Sequence, residues 1–192
     1  MIEACDLTKV FHDRKLGLVR AVDGVSFRCE PGRVYGLLGA NGAGKTTTLR
    51  VLATILRPTV GTATVAGFDI RRQARSVRAH VGFLSTATAL YGRLTAREMV
   101  EYFGHLAGLR GAPLARRLDE LFGLLEIGPF ADRRCDKLST GMKQKVSIAR
   151  TLVHDPPVLI LDEPTSGLDP NQIRQVRELI RDLGENHTIL LS

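Results

Sequence analysis

Short blocks of apolar residues alternate with polar and glycine-containing turns in the first third of the chain. Four of these blocks have the length and composition of strands: 2–10, 21–30, 33–38 and 62–65. A helical stretch runs from Lys45 to about Leu56, directly after a glycine-rich loop. The segment 12–20 is polar and basic, so the pattern predicts a loop between the first two strands.

The middle of the chain has helical spacing instead. Segment 71–125 is mostly helical in pattern, and Thr95 with Glu98 has the spacing of a capping box that opens a helix through about Gly108. Leucines recur at helical intervals over 112–126 and predict a second helix.

The last third returns to alternating elements. Helices are predicted at 139–153 and 169–183, and strands at 158–161 and 188–191. Ser139 and Asp169 are the expected N-cap residues of the two helices. Alternating strands and helices predict an α/β fold with a mostly parallel sheet. We expect a single domain over the whole chain, with a core at 1–85 and 154–192 and an inserted helical subdomain at about 86–153.

Composition limits the class of protein. Of 192 residues, 44% are hydrophobic and 24% are charged, which is typical of a folded soluble domain. No apolar run approaches the roughly 18 residues that span a bilayer, and the first residues do not have the pattern of a signal peptide. The three cysteines are far apart and predict ordinary buried thiols in a reduced, cytoplasmic protein.

The net charge of +7 indicates an anionic partner or a solvated basic surface. Several arginines lie in 71–78, and a nucleic acid, an anionic membrane or a polyphosphate are all compatible with them. A solvated helix face is the simplest interpretation. Aromatic residues are only 5% and do not alternate with the basic ones, which argues against a nucleic-acid partner.

The strongest chemical signal is a complete G-x-x-x-x-G-K-[ST] pattern between a predicted strand and a predicted helix. Its residues are Gly39, Ala40, Asn41, Gly42, Ala43, Gly44, Lys45 and Thr46, and Thr47 follows them. Glycines allow consecutive N–H groups to surround a phosphate, and the helix N-terminus adds partial positive charge. Lys45 can reach the β- and γ-phosphates, and Thr46 offers a hydroxyl to Mg²⁺.

A second signal is an apolar strand that ends in two acids, Asp162 and Glu163. The carboxyl edge of a parallel sheet is where ligands of such folds bind. Asp162 can hold Mg²⁺ through water, and Glu163 can orient or deprotonate the attacking water. Alone, the pattern would also fit a buried strand ending in solvated acids.

A third signal is the segment LSTGMKQK, residues 138–145. Ser139 and the backbone of Gly141 at a helix start can form a second anion site, although an ordinary capped helix has the same appearance. These motifs, together with the run SGLD at 166–169, occur in the order typical of one family. The sequence resembles the nucleotide-binding subunit of ATP-binding cassette (ABC) transporters from about Leu7 to Ser192. Within that family it is most similar to the exporter branch that includes sodium-efflux ATPases of the NatA kind.

The resemblance implies a P-loop ATPase fold with an N-terminal antiparallel β part. It implies that Phe11 stacks on adenine, although a core phenylalanine at a strand end is an alternative. It further implies a head-to-tail dimer with a second copy, in which Ser139, Thr140, Gly141 and Asp169 contact the nucleotide of the partner. A separate membrane-spanning subunit and a place on the cytoplasmic face of the membrane follow from the same resemblance, with 87–110 as the docking segment.

Three departures from the family pattern affect these expectations. Thr86, at the end of an expected strand over 81–86, stands where the family has a glutamine that senses Mg²⁺, which makes Thr86 a further candidate metal ligand. The signature has Thr140 and Met142 in place of glycine and glutamine. A threonine and a histidine are expected after the last strand, whereas His187 precedes it and is interpreted as a surface residue. Strongly reduced hydrolysis with retained nucleotide binding is therefore expected for a truncated chain.

The alternatives come from other classes of ATP-binding cassette protein. A regulatory or translation-associated module carries two cassettes in one chain, and this chain has room for one. A chromosome-maintenance ATPase requires long coiled-coil arms, and 71–137 lacks sustained heptads. The ATPase subunit of a transporter is the function that the sequence favours.

Overall fold

Two four-stranded sheets and six helices make up the described part of the chain. The computed structural model describes residues 1–15, 17–85 and 89–192. These residues form two units, which we call the sheet unit and the helical unit. The sheet unit comprises Met1–Phe83, Pro156–Glu163 and Glu178–Ser192. The helical unit comprises Leu84–Asp155 and Pro164–Arg177.

The strands are β1 Ile2–Asp13, β2 Gly17–Cys29, β3 Val34–Gly36, β4 Val60–Val65, β5 Phe68–Asp69, β6 Val81–Ser85, β7 Val158–Asp162 and β8 Thr188–Leu191. The helices are α1 Lys45–Leu52, α2 Ala74–Ala79, α3 Ala96–Leu106, α4 Gly111–Leu124, α5 Thr140–Leu152 and α6 Pro170–Leu183. Two 3₁₀ turns lie at Gly128–Phe130 and Cys135–Lys137. Within the described residues, no helix is long and apolar enough to cross a bilayer.

The first sheet has the order β2-β1-β4-β5, and its strands pair antiparallel. The prediction of a loop over 12–20 was wrong, because β1 continues to Asp13 and β2 begins at Gly17. Phe11 pairs with Val19 in this extension. An exposed hairpin has no apolar face to bury, so its composition is the same as that of a solvated loop.

The second sheet has the order β3-β8-β7-β6 and contains the predicted parallel core. β8 pairs parallel with β3 on one side and with β7 on the other. All five residues of β7 are buried, which explains why its sequence is continuously apolar rather than alternating. Ile160 of β7 and Leu49 of α1 belong to one buried cluster, which anchors α1 in the sheet unit.

The α/β fold with an antiparallel N-terminal part and a parallel sheet is thus confirmed, but the short strand β5 was missed. The strand expected at 81–86 is present as β6, within the otherwise mostly helical segment 71–125. The helix α2 spans Ala74–Ala79, so the first residues of the basic segment 71–78 are not helical. The guanidinium of Arg71 donates to the carbonyl groups of Pro58 and Thr59.

The cysteines differ from one another in exposure. Cys29 and Cys135 are buried, whereas Cys5 is exposed, so the prediction of three buried thiols was wrong for Cys5. Burial raises the pKa of the Cys29 thiol to about 11. Burial also raises the pKa of Cys135, and the nearby Asp136 charge adds to the effect.

Two of the predicted caps of the helical unit lie at the starts of α3 and α5. At the start of α3, the Thr95 hydroxyl accepts from the N–H of Glu98 at 3.1 Å, and the Glu98 carboxylate accepts from the N–H of Thr95 at 2.8 Å. At the start of α5, the Ser139 hydroxyl accepts from the N–H of Met142 at 3.3 Å. These contacts satisfy N–H groups that have no intrahelical partner.

Replacing Thr95 with alanine is expected to lower the free energy of unfolding by about 1 kcal/mol, because the N–H of Glu98 loses its acceptor. Urea titration followed by circular dichroism measures the change. Thr95→Ser keeps the hydroxyl and is the matched control, with stability close to that of the unsubstituted chain. Equal stability of the alanine and serine variants would contradict a stabilising role for this cap.

Candidate functional site

Three neighbouring parallel strands end at the same edge of the second sheet. The loop 39–46 follows β3, Asp162 ends β7, and Ser192 follows β8. Backbone hydrogen bonds continue past the strand ends, from the N–H of Leu37 to the carbonyl of Leu191 at 2.7 Å. The carboxyl edge of a parallel sheet is the usual place of ligand binding in open α/β folds.

The conformation of the loop depends on two of its glycines. Gly42 and Gly44 have φ values of 82° and 85°, in the left-handed region. A Cβ atom at Gly44 would lie 2.0 Å from the carbonyl oxygen of Ala21, whereas one at Gly42 would meet nothing within 4 Å. The N–H of Ala43 donates to the carbonyl of Ala40 at 3.1 Å and closes a turn. The chain then enters α1 at Lys45 without a spacer.

The N-terminus of α1 has the features of an anion site. Gly44 is its N-cap and provides no side-chain acceptor. The first backbone hydrogen bond of α1 joins the N–H of Thr48 to the carbonyl of Gly44 at 2.8 Å. The N–H groups of Lys45, Thr46 and Thr47 therefore have no acceptor within the helix, and they coincide with the positive end of the helix dipole.

The side chain of Lys45 folds back over the loop. Its Nζ donates to the carbonyl oxygen of Gly39 at 2.7 Å and to that of Ala40 at 3.0 Å. The ammonium group is thus held at the loop. Backbone N–H donors precede Lys45 in the loop and follow it at the start of α1. Positive charge and N–H donors lie together, as the binding of a polyphosphate requires.

The predicted metal ligands are in direct contact. The hydroxyl of Thr46 donates to Oδ1 of Asp162 at 2.9 Å, and Asp162 is only 2% exposed. A hydroxyl and a carboxylate are hard oxygen donors of the kind that Mg²⁺ prefers, so this pair fits the predicted metal. Glu163, the next residue, is exposed and has a φ of 49°, so the chain leaves the strand conformation at this point.

Sequence reasoning missed the contribution of Ser192. Its hydroxyl donates to the same Oδ1 of Asp162 at 3.0 Å. The only available signal was a polar residue directly after a strand, and pairing of that strand with β7 cannot be read from either strand alone.

The second predicted anion site lies in the helical unit. Ser139 caps α5, and Thr140 and Gly141 are its first two residues. A Cβ atom at Gly141 would lie 2.6 Å from the side-chain amide of Gln172, which sequence analysis did not include. Gln144 of the same helix donates to the carbonyl oxygen of Pro164 at 2.5 Å.

An ion pair joins the same helix to the turn after α4. The ammonium of Lys145 lies 2.7 Å from the carboxylate of Glu126. The hydrogen bond and charge of Lys145 lower the pKa of Glu126. The carboxylate is exposed to solvent, so we attribute orientation rather than stability to this pair.

Comparison with known proteins identifies the family. The family model described as ABC transporter matches residues 22–166. The chain is 44% identical over 194 residues to the ABC transporter ATP-binding protein NatA of Bacillus subtilis (strain 168), covering all of this chain and 78% of that protein. It is 43% identical to the daunorubicin resistance ATP-binding protein DrrA2 of Streptomyces coeruleorubidus, covering 93% of this chain and only 56% of the relative. The chain belongs to the ABC transporter family.

A solved structure of a dimeric bacterial ABC transporter cassette has the same fold. The TM-score is 0.88 at 25% identity, and the match covers all of this chain and 87% of that one. The ABC fold and the identity of this chain as an ATP-binding domain of that family are thereby established, and the resemblance stated from the motifs is confirmed.

The remaining predicted residues of the ABC domain differ in their surroundings. The ring of Phe11 is 37% exposed, which does not fit the alternative of a core phenylalanine, and the ammonium of Lys9 lies 5.0 Å from its centroid. Oδ1 of Asp169 accepts from the N–H groups of Asn171 and Gln172 at 3.0 Å each, which confirms Asp169 as the cap of α6.

Two further predictions concern Thr86 and His187. Thr86 lies outside the described residues, so its candidate role as a metal ligand stays a prediction. His187 is half-buried rather than on the surface, and its Nδ1 lies 2.8 Å from the carbonyl oxygen of Pro156. That contact joins the turn before β8 to the turn before β7.

Proposed function

We propose that this chain binds ATP with Mg²⁺ and hydrolyses it to drive export through a membrane-spanning subunit. The observation that carries the proposal is the direct hydrogen bond between Thr46, at the end of the phosphate loop, and the buried Asp162. A loop of this conformation without an acid beside it could bind any anion. The acid next to the loop favours a nucleotide polyphosphate accompanied by a divalent cation.

The residues of the sheet unit have complementary tasks in this proposal. The phosphates are surrounded by Gly39, Ala40, Asn41, Gly42, Ala43, Gly44, Lys45, Thr46 and Thr47. The N–H groups of Lys45, Thr46 and Thr47, which have no acceptor within the helix, donate to them. The ammonium of Lys45 exchanges its carbonyl partners for phosphate oxygens, which are stronger acceptors because they are charged. Thr46 and Asp162 would hold Mg²⁺, which neutralises phosphate charge when bound. Glu163 orients the attacking water and accepts its proton.

Phe11 is the proposed contact of the adenine base. Its ring is exposed at the β1–β2 hairpin, with Val19 paired opposite it. Stacking on an aromatic ring tolerates any base and contributes about 1–3 kcal/mol per base.

Ser139, Thr140, Gly141 and Asp169 are proposed to act on the nucleotide of a second copy. Ser139 caps α5 by accepting from the N–H of Met142, and the N-terminus of that helix is the proposed anion site. The similar solved cassette is a dimer, which supports a dimeric working state for this chain. Each copy would then be half of two sites.

A membrane-spanning partner and a position on the cytoplasmic face of the membrane complete the proposal. The helical unit exposes Tyr91, Tyr102 and Leu106, and the two tyrosine rings meet edge to face at 5.9 Å. Exposed aromatic groups of this kind are typical of protein interfaces. We propose this surface, within the segment 87–110, as the docking site of the membrane subunit.

Lys45→Ala is expected to weaken ATP affinity by about 10- to 100-fold, because a charge-assisted contact to phosphate is lost. Titration with a fluorescent ATP analogue in the presence of Mg²⁺ measures the change. Lys137→Ala removes an exposed ammonium from the helical unit and is the matched control, with affinity like that of the unsubstituted chain.

Phosphate release followed in the same samples separates binding from hydrolysis. ATP binding that is weakened in Lys45→Ala, together with steady phosphate release by the unsubstituted chain, supports the ATPase proposal. Binding without any release would support retained binding with strongly reduced hydrolysis. Equal affinity of the Lys45→Ala and Lys137→Ala variants would contradict the proposed role of the loop.

A further inference from the structure

Ser192, which directly follows β8, belongs to none of the recognised motifs. The N–H of Ser192 donates to the carbonyl oxygen of Leu161 at 3.1 Å, which extends the β8–β7 ladder by one residue. The ladder therefore places Ser192 beside Asp162 of the neighbouring strand. This position is fixed by backbone pairing rather than by the side chain.

The hydroxyl of Ser192 contacts both acidic residues of the proposed site. It donates to Oδ1 of Asp162 at 3.0 Å and accepts from the N–H of Glu163, whose nitrogen lies 3.4 Å away. A serine hydroxyl has one donor and two acceptor positions, so both contacts are compatible with one orientation. Ser192 thus links the carboxylate of one acid to the backbone of the other.

Asp162 is held from two directions. Thr46 donates to its Oδ1 from α1, and Ser192 donates to the same oxygen from the position directly after β8. A carboxylate torsion is broad when nothing restrains it, so a single donor fixes its plane poorly. Two donors from different elements restrict the rotation. Glu163 needs a similar restraint, because a φ of 49° is uncommon for a residue other than glycine.

We propose that Ser192 is a positioning residue for the metal site of this domain. It keeps the Asp162 carboxylate and the Glu163 backbone in one arrangement, so that Thr46 and Asp162 present their oxygens to Mg²⁺ together. Ser192 itself does not need to touch the metal or the nucleotide. The inference rests on the proposed function, since it deepens the role of the same site.

The test measures metal affinity rather than turnover. Mn²⁺ is titrated into the full chain bound to a non-hydrolysable ATP analogue, and free Mn²⁺ is followed by electron paramagnetic resonance. Ser192→Ala is expected to weaken Mn²⁺ binding by about 3- to 10-fold, the equivalent of one lost hydrogen bond. Ser192→Thr keeps a hydroxyl and is expected to restore the affinity. Affinity for the analogue without metal is expected to stay unchanged in both variants.

The reference variant Asp162→Asn separates failure of this inference from failure of the proposed function. Weak Mn²⁺ binding by Asp162→Asn with normal binding by Ser192→Ala would overturn the inference and leave the function standing. Equal Mn²⁺ binding by the unsubstituted chain and Asp162→Asn would overturn both. A parallel loss of metal-free analogue binding in Ser192→Ala would also overturn the positioning role, since it would indicate general disruption.

A further variant covers the case in which Ser192→Ala does not fold, as judged by circular dichroism. Ser192→Cys keeps most of the side-chain volume but has a much weaker donor. It is expected to weaken Mn²⁺ binding in the same direction. Mn²⁺ affinity equal to that of the unsubstituted chain would overturn the inference.

Discussion

Replacing Glu163 with glutamine is expected to reduce phosphate release from ATP by about 100- to 10,000-fold, the usual contribution of a positioned general base. Glutamine has the same shape, so the backbone turn after β7 and its contact with Ser192 are preserved. The amide, however, cannot accept a proton from water. ATP binding is expected to be retained, because the loop donors and the Thr46–Asp162 pair are untouched.

The geometry explains why Glu163 and not Asp162 is the expected base. Asp162 is buried, and its Oδ1 already accepts from two hydroxyl groups. Glu163 is exposed and has a left-handed backbone conformation at the edge of the sheet, where water is available. A restrained carboxylate suits metal binding, and a solvated one suits proton transfer.

The measurement is phosphate release under saturating Mg²⁺ and ATP, at protein concentrations high enough to detect slow turnover. Glu185→Gln changes an exposed glutamate in the turn between α6 and β8 and is the matched control, with release like that of the unsubstituted chain. Equal release by Glu163→Gln and Glu185→Gln would remove Glu163 as the base. Release at background in the unsubstituted chain would instead contradict the hydrolysis proposal.

Gly44→Ala is expected to lower the free energy of unfolding by about 3–5 kcal/mol, from backbone strain and overlap together. Its φ of 85° is unfavourable for alanine, and the added Cβ would lie 2.0 Å from the carbonyl oxygen of Ala21. That oxygen belongs to the backbone of β2, so it cannot move aside as a flexible side chain would.

Gly42→Ala is the matched control for this prediction. Its φ of 82° is nearly the same, but a Cβ there would meet nothing within 4 Å. The expected cost is therefore strain alone, about 1–2 kcal/mol. Urea unfolding followed by circular dichroism measures both, since the chain has no tryptophan. Equal losses in the two variants would show that the contact with Ala21 is unimportant.

The features that sequence analysis predicted correctly are local in sequence. The capping box needs only Thr95 and Glu98, three residues apart, and the phosphate loop needs only eight consecutive residues. The continuously apolar sequence of β7 was sufficient to predict that this strand is buried. In each case the residues that determine the structure are neighbours along the chain.

The features that sequence analysis missed depend on distant pairings. Ser192 meets Asp162 only because β8 and β7 pair in a particular register. The amide of Gln172 lies beside Gly141 through packing within the helical unit. The hairpin extension around Phe11 has the polar composition of a loop, and its strand character comes from pairing with Val19.

The pairing of β3 with β8 has a consequence for the order of events during synthesis. Val34 pairs with Ile189, so the strand that leads into the phosphate loop gains its sheet partner only after nearly all of the chain described here has left the ribosome. The β1–β2 hairpin, by contrast, can form as soon as its own residues emerge. Throughout most of translation the loop is present without the neighbour that aligns it, and β3 is an unpaired edge open to aggregation. Nucleotide cannot assist the early stages of folding, because its binding site is incomplete until β8 has been made.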